Sequence, residues 1–207
     1  MAREIFWDIP IVSYKEKFNE YRVFEETAYP MTNDQLSEFY DVEKPKGNPH
    51  PASSDLVYSI LLGAYRLEDI EGKNSLRKFL KQELQRWPST TSRVLYSPSG
   101  ENEVVHNCGT SDEYRLKESK LVGPSCLIKD SYNSVLKTVL GTDNIHEINE
   151  VFNWINSTNL SLWRRNSNHS ERDERTICLE IDSKGAYLQL DINPIRKHPA
   201  FLVLKLD

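Results

Sequence analysis

Three short runs near the C-terminal end of the chain constrain the fold most, because each alternates apolar and polar residues with a period of two. Ile177, Leu179 and Ile181 share one face of the first run, Ala186, Leu188 and Leu190 of the second, and Leu202, Leu204 and Leu206 of the third. Successive strand side chains point to opposite faces, so this pattern describes strands with one face on a core and one in water. Between the first two runs, Asp182-Ser183-Lys184-Gly185 is a turn sequence, with Asp to open it and Gly to take positive φ. Pairing Ile181 with Ala186 sets Leu179 opposite Leu188 and Ile177 opposite Leu190, and the apolar rows coincide. The spacing predicts a C-terminal strand meander over about 176–206.

Helical spacing dominates elsewhere. Thr32 or Asn33 caps a segment running through Tyr40, and the aromatic residues Tyr14, Phe18, Tyr21, Phe24 and Phe39 supply anchors for a helix or two around it. Ser53 or Ser54 caps a run holding Leu56, Val57, Ile60, Leu61, Ala64 and Leu67. A second run follows Gly72, with Asn74 as its cap, and ends at Pro88. Residues 93–97 and 103–108 flank Ser97-Pro98-Ser99-Gly100 as a hairpin. Ser131 and then Asp143 or Asn144 cap two further helices separated by Gly141. Ile5 to Val12 reads as an edge strand, because Pro10 cannot donate to a ladder. Asn166 to Arg175 reads as a polar loop. Together these predict an α+β fold, an antiparallel sheet packed with four or more helices.

Pro45, Gly47, Pro49 and Pro51 fall within 42–54, the best internal boundary. The 41 residues before it are few for an independent fold, so the segment reads as a loop wrapping a single globular domain over 1–207.

Net charge is −5, which argues against non-specific nucleic-acid binding. Residues 73–86 reverse the sign locally through Lys73, Arg77, Lys78, Lys81 and Arg86, so a basic helix contacting nucleic acid is an alternative. The helix pair around Gly141 has the outline of a helix-turn-helix, but Thr138 to Trp163 holds no Lys or Arg for phosphates. Three widely spaced cysteines, Cys108, Cys126 and Cys178, read as reduced thiols in a cytoplasmic protein. The first residues lack the apolar core of a signal peptide, and the longest apolar stretch, Ile60-Leu61-Leu62, is far short of a membrane span. Sequons at Asn156, Asn159 and Asn168 are accidents of an Asn/Ser-rich segment on this reading.

Three constellations carry candidate chemistry. His106 and Cys108 lie two apart, so on a strand His106 shares a face with Cys108 and could deprotonate it, with Asp112 or Glu113 orienting the ring. Against this, catalytic Cys and His usually come from separate elements. Trp163, Arg164, Arg165, Arg172 and Arg175 form a candidate binding set for phosphate or carboxylate, since guanidinium forks bind such groups bidentately; Glu171, Asp173 and Glu174 oppose that field. Glu180, Asp182 and Asp191 lie on the polar side of the hairpin, with Lys205 to complete a metal-dependent nuclease or hydrolase set, although a wet sheet face carries such residues without any metal. Phosphate-binding glycine loops, paired-cysteine zinc spacings and G-x-S-x-G are missing, and no cofactor is indicated. The leading expectation is a soluble, non-catalytic binding or protein-interaction module. Its alternatives are a small hydrolase or nuclease and a weak nucleic-acid binder. The partner, whether protein or small ligand, is not specified by the sequence, and neither is the oligomeric state.

Overall fold

The structure, a computed structural model, describes residues 6–14, 17–24, 30–167 and 170–206. Ile5 and the sequon residue Asn168 lie outside them. The fold is mixed α and β, with five α-helices and two sheets among the described residues.

The chain opens with a hairpin of β1 (Phe6–Tyr14) and β2 (Lys17–Phe24). Pro10 sits in β1, an edge strand, where a missing N–H is tolerated. Tyr21 and Phe24 therefore belong to a strand, not to a helix as their spacing suggested. Helix α1 (Asn33–Glu43) starts with a capping box in which Thr32 and Gln35 satisfy each other's backbone N–H. The proline-rich segment then makes one 3-10 turn and the two-residue β3 (His50–Pro51), where the chain becomes buried.

Helix α2 (Ser54–Tyr65) is buried along most of its length. Helix α3 (Ile70–Gln85) begins four residues before its expected cap, because Asp69 accepts the Gly72 N–H at 2.9 Å. A Cβ at Gly72 would lie 2.2 Å from that carboxylate, so a larger residue there would displace the Asp69 cap. Next come β4 (Ser89–Tyr96), β5 (Glu103–His106), β6 (Tyr114–Lys117) and β7 (Cys126–Leu127). Helices α4 (Asn133–Leu140) and α5 (Ile145–Asn156) are separated by the left-handed Gly141, and Asn144 caps α5. The chain finishes through β8 (Leu160–Trp163), β9 (Asp173–Ile181), β10 (Ala186–Ile192) and β11 (Leu202–Leu206).

Seven strands form one sheet in the order β6-β5-β4-β9-β10-β8-β7. It is mixed, since β8 runs parallel to β10. The β9–β10 hairpin pairs Ile181 with Ala186 and Leu179 with Leu188, as the alternation predicts. An irregularity between Gln189 and Ile192 then inserts one residue into β10 and brings Thr176 opposite Ile192.

The third C-terminal run does not extend this hairpin. β11 crosses to a four-stranded sheet, β1-β2-β11-β3, so the three runs are not one meander. Pro194 and Pro199 interrupt ladder pairing between β10 and β11. The expected inward face of β11 also changes. Leu202 and Val203 are buried on opposite sides, Val203 in the main core and Leu202 with Leu36 and Ala200, while Leu204 and Leu206 are half-buried. The main core draws on residues from Tyr21 to Val203 and includes apolar side chains of α2, α3, α4 and α5. Fully burying one of its leucines, such as Leu188, contributes roughly 2 kcal/mol.

Candidate functional site: a polar cleft beside a buried histidine

Sequence patterning started the first hairpin strand at Arg93, yet β4 begins at Ser89 with four buried polar residues. They belong there because each hydroxyl finds a partner. Thr90 donates to the Ile177 carbonyl at 2.7 Å, Thr91 to the Asn107 side chain at 2.9 Å, and Ser92 lies 2.8 Å from His106 Nδ1. Ser92 Oγ also accepts the Ser54 N–H at 2.9 Å.

His106 is only 1% exposed. Its Nε2 lies 2.8 Å from the Thr138 carbonyl, and a carbonyl only accepts, so this nitrogen carries a proton. Nδ1 faces Ser92 and also Asp55 Oδ1 at 3.3 Å. Asp55 in turn accepts from Ser53 at 2.5 Å and from the Tyr114 hydroxyl, and the Tyr114 ring stacks on His106 at 4.8 Å. A hydrolytic Ser–His–Asp arrangement sets serine and carboxylate on opposite ring nitrogens. Here both share Nδ1, the main chain holds Nε2, and Ser92 has no exposed surface. The network ties β5 to α2, β4 and α4, and its geometry is that of a buried polar joint.

Cys108 lies just beyond β5, after Asn107 at φ +49°. Burial pushes its thiol up to about 11, with Arg93 opposing that shift only in part. A thiol held protonated is a poor nucleophile. With His106 engaged elsewhere, no described contact joins the two. Asp112 is turned toward α1, where it meets Tyr40 and Lys44. Glu113 accepts the Gly109 N–H at 2.8 Å and is lowered chiefly by that bond.

The arginine set divides. Arg165 and Arg175 close a ring with Asp173 and Asp191; Arg165 Nε lies 2.7 Å and Arg175 Nε 3.0 Å from Asp191, and both guanidinium groups touch Asp173. Arg164 is buried over the Tyr132 ring at 4.5 Å and donates to the Lys120 carbonyl. Arg172 is exposed on the wall of a separate cleft. Trp163 is half-exposed, edge-on to Tyr187 at 5.6 Å. These five residues do not converge.

The carboxylate set is also dispersed. Asp191 belongs to the arginine ring, and Asp182 caps its own turn by accepting the Lys184 and Gly185 N–H groups. Glu180 is buried, accepts from Gln189 at 2.8 Å and is raised chiefly by desolvation. Among the described residues, no three His, Cys, Asp or Glu side chains are grouped to hold a metal. On the basic helix α3, Lys73 lies over the Tyr65 ring at 4.7 Å and Arg86 pairs with Glu83.

What the structure brings together instead is a cleft of about 390 Å³, lined by Tyr21, Tyr40, Lys44, His50, Ser53, Asn107, Asp112, Tyr114 and Lys205, with Pro51 and Leu56 as its apolar wall. Register explains the convergence. Lys205 pairs with Tyr21, and Val203 pairs with both Val23 and His50, so these residues share one face of the four-stranded sheet. Helix α1 closes one side, where the Tyr40 ring meets His50 edge-on at 5.1 Å. The 107–114 loop closes the other. Lys44 is paired with Asp112, whereas Lys205 has no ion-pair or hydrogen-bond partner among the described residues. Tyr21 OH is likewise unbonded among them, and burial, with Asp55 nearby, raises its phenol. Asn107 Oδ1 accepts from Thr91, which leaves its amide nitrogen without a described partner. His50 Nδ1 lies 3.2 Å from the Asn48 carbonyl, so its Nε2 is the acceptor in the neutral ring that burial favours.

Protein-family models, curated proteins and solved structures offer no match to this chain.

A larger cleft of about 580 Å³ lies at the β4–β5 turn. Its walls are mostly charged, and Arg115, Asp173 and Glu174 there are already ion-paired. The smaller cleft combines apolar walls with a few uncommitted polar groups, the usual make-up of a ligand site. Sequence reasoning missed Tyr21, His50 and Asn107 in this role. Nothing local signals this grouping, because Tyr21 and Lys205 meet only through the β2–β11 pairing.

Proposed function

We propose that this chain is a non-catalytic binding module whose ligand occupies the cleft between β2, β3, β11, α1 and the 107–114 loop. One observation carries the reading: the groups that catalysis would need are committed to structural partners, while Lys205, Tyr21 and Asn107 stand uncommitted in one cleft. Three free thiols support a reducing, cytoplasmic setting. Among the described residues no helix is long and apolar enough to cross a membrane. The nucleic-acid alternative would rest on Arg77, Lys78 and Lys81 of α3, since Lys73 is held against aromatic rings and Arg86, just past the helix, against Glu83.

The test is a two-dimensional amide NMR screen with a fragment library of mixed charge. Saturable shifts should cluster at residues 50–56, 107–114 and 203–206. If fragments bind only elsewhere, or none binds at millimolar concentration, the cleft is not the site. An ester or phosphodiester hydrolysis abolished by Ser92→Ala in a folded protein would overturn the non-catalytic reading.

A further inference from the structure

We propose that the cleft takes a small organic monoanion, with its carboxylate held by Lys205, Tyr21 and Asn107 and its apolar body against Pro51 and Leu56. The inference rests on the binding reading above and adds the chemistry of the ligand.

Three donors from three separate elements define the anion seat. Lys205 offers an ammonium on β11, Tyr21 a hydroxyl directly across the ladder on β2, and Asn107 an amide nitrogen from the loop. None of the three donates to another described residue. The buried phenol keeps its proton at physiological pH, so Tyr21 acts as a donor. Hydrogen bonds from such donors to an ionised oxygen are stronger than neutral ones, and the partly buried wall lessens screening.

The charge count favours one negative charge over two. Among the described residues of the wall, Lys205 is the cation left over once Lys44 is matched to Asp112. Asp55 stands behind the same wall, bonded to Ser53 and Tyr114 and close enough to Tyr21 to raise its phenol. A dianionic phosphate would bring a second negative charge that Lys205 alone does not match, with the Asp55 carboxylate behind the wall opposing it. A monocarboxylate needs only Lys205. Pro51 and Leu56 supply apolar surface beside the seat, which suits a hydrocarbon or aromatic body better than a purely polar one.

The probes are benzoate, its neutral isostere benzamide and inorganic phosphate, titrated against the full chain by NMR and calorimetry at low ionic strength. Benzoate should bind saturably, with the Asn107 side-chain amide and residues 203–206 among the shifted signals. Benzamide and phosphate should each bind at least tenfold more weakly. Lys205→Met, at an exposed position, should weaken benzoate at least tenfold, and Tyr21→Phe should weaken it several-fold. Benzamide binding as tightly as benzoate, phosphate binding more tightly, or a Lys205→Met variant of unchanged benzoate affinity overturns the anion assignment. So does failure of benzoate where neutral fragments still occupy the cleft, and in that case the binding reading survives. Only the absence of every fragment and probe from the cleft removes both.

Discussion

His106 Nε2 donates to the Thr138 carbonyl across 2.8 Å, fastening strand β5 to the end of helix α4. The bond satisfies a carbonyl in the last turn of a helix, where intrahelical partners run out. It also fixes which ring nitrogen faces Asp55 and Ser92.

Replacing His106 by Leu strands several buried polar groups at once. Asp55 and Ser92 lose a neighbour and the Thr138 carbonyl loses its donor, so the expected cost is about 2–4 kcal/mol. Ser92→Ala should cost about 1 kcal/mol. Urea unfolding curves check both, and a loss below 1 kcal/mol for His106→Leu would contradict the joint described here.

Thiol reactivity should separate the three cysteines. Burial pushes Cys108 up to about 11 and Cys178 to about 12, whereas Cys126 is only half-buried. At pH 8 a disulfide reagent such as DTNB should titrate one thiol in the native protein and three after unfolding. Rapid labelling of Cys108 in the native state would restore the case for an activated nucleophile.

Glu180 should make stability depend on pH. Its folded pKa is raised, so the native state holds a proton that the unfolded chain releases near the ordinary carboxylate value. The contribution is therefore intact below the unfolded pKa and lost as pH rises through the folded one. Glu180→Gln should raise Tm at pH 7.5 by about 2–4 °C and change it little near pH 3.5. Gln189→Asp should do the opposite at neutral pH, since it removes the donor to Glu180 and adds a like charge.

The ring of Arg165, Arg175, Asp173 and Asp191 ties β9 to β10 and to the chain beyond β8. Arg165→Met leaves two carboxylates to one guanidinium at a partly buried site, and about 2 kcal/mol of destabilisation is expected. Thermal melts of Arg165→Met and of the double variant with Asp191→Asn distinguish coupling from lost packing: restored stability in the double variant marks a charge effect.

Treating the chain as one folding unit predicts a single unfolding transition and a radius of gyration of about 17 Å for the monomer. Two separated transitions, or a clearly larger monomer by X-ray scattering, would point to a break near residues 42–54.

Features governed by neighbours in sequence were legible. Thr32, Asn144 and Gly141 mark helix ends through contacts spanning a few residues, and Asp182 to Gly185 marks the hairpin turn. Features governed by distant pairing were not. Tyr21 has the spacing of a helical aromatic and becomes a strand residue because β11 lies beside it. The polar start of β4 has no strand signature, since its hydroxyls are satisfied by Ile177, Asn107 and His106. Gly72 looks like a helix breaker until Asp69 is seen to reach over it. The candidate site shares this difficulty: Lys205 was visible as a polar residue of a strand, but Tyr21 and Asn107 reach it only through the β2–β11 pairing and a loop from the other sheet.

Placing β11 between β2 and β3 carries a kinetic consequence. The N-terminal hairpin presents an open edge until a partner some 180 residues downstream emerges from the ribosome, and closing so long a loop is slow. Lys205 meets Tyr21 only at that moment. The recognition cleft should therefore mature after the helical core has condensed, and a nascent chain halted before residue 202 would hold the buried joint around His106 while remaining unable to bind.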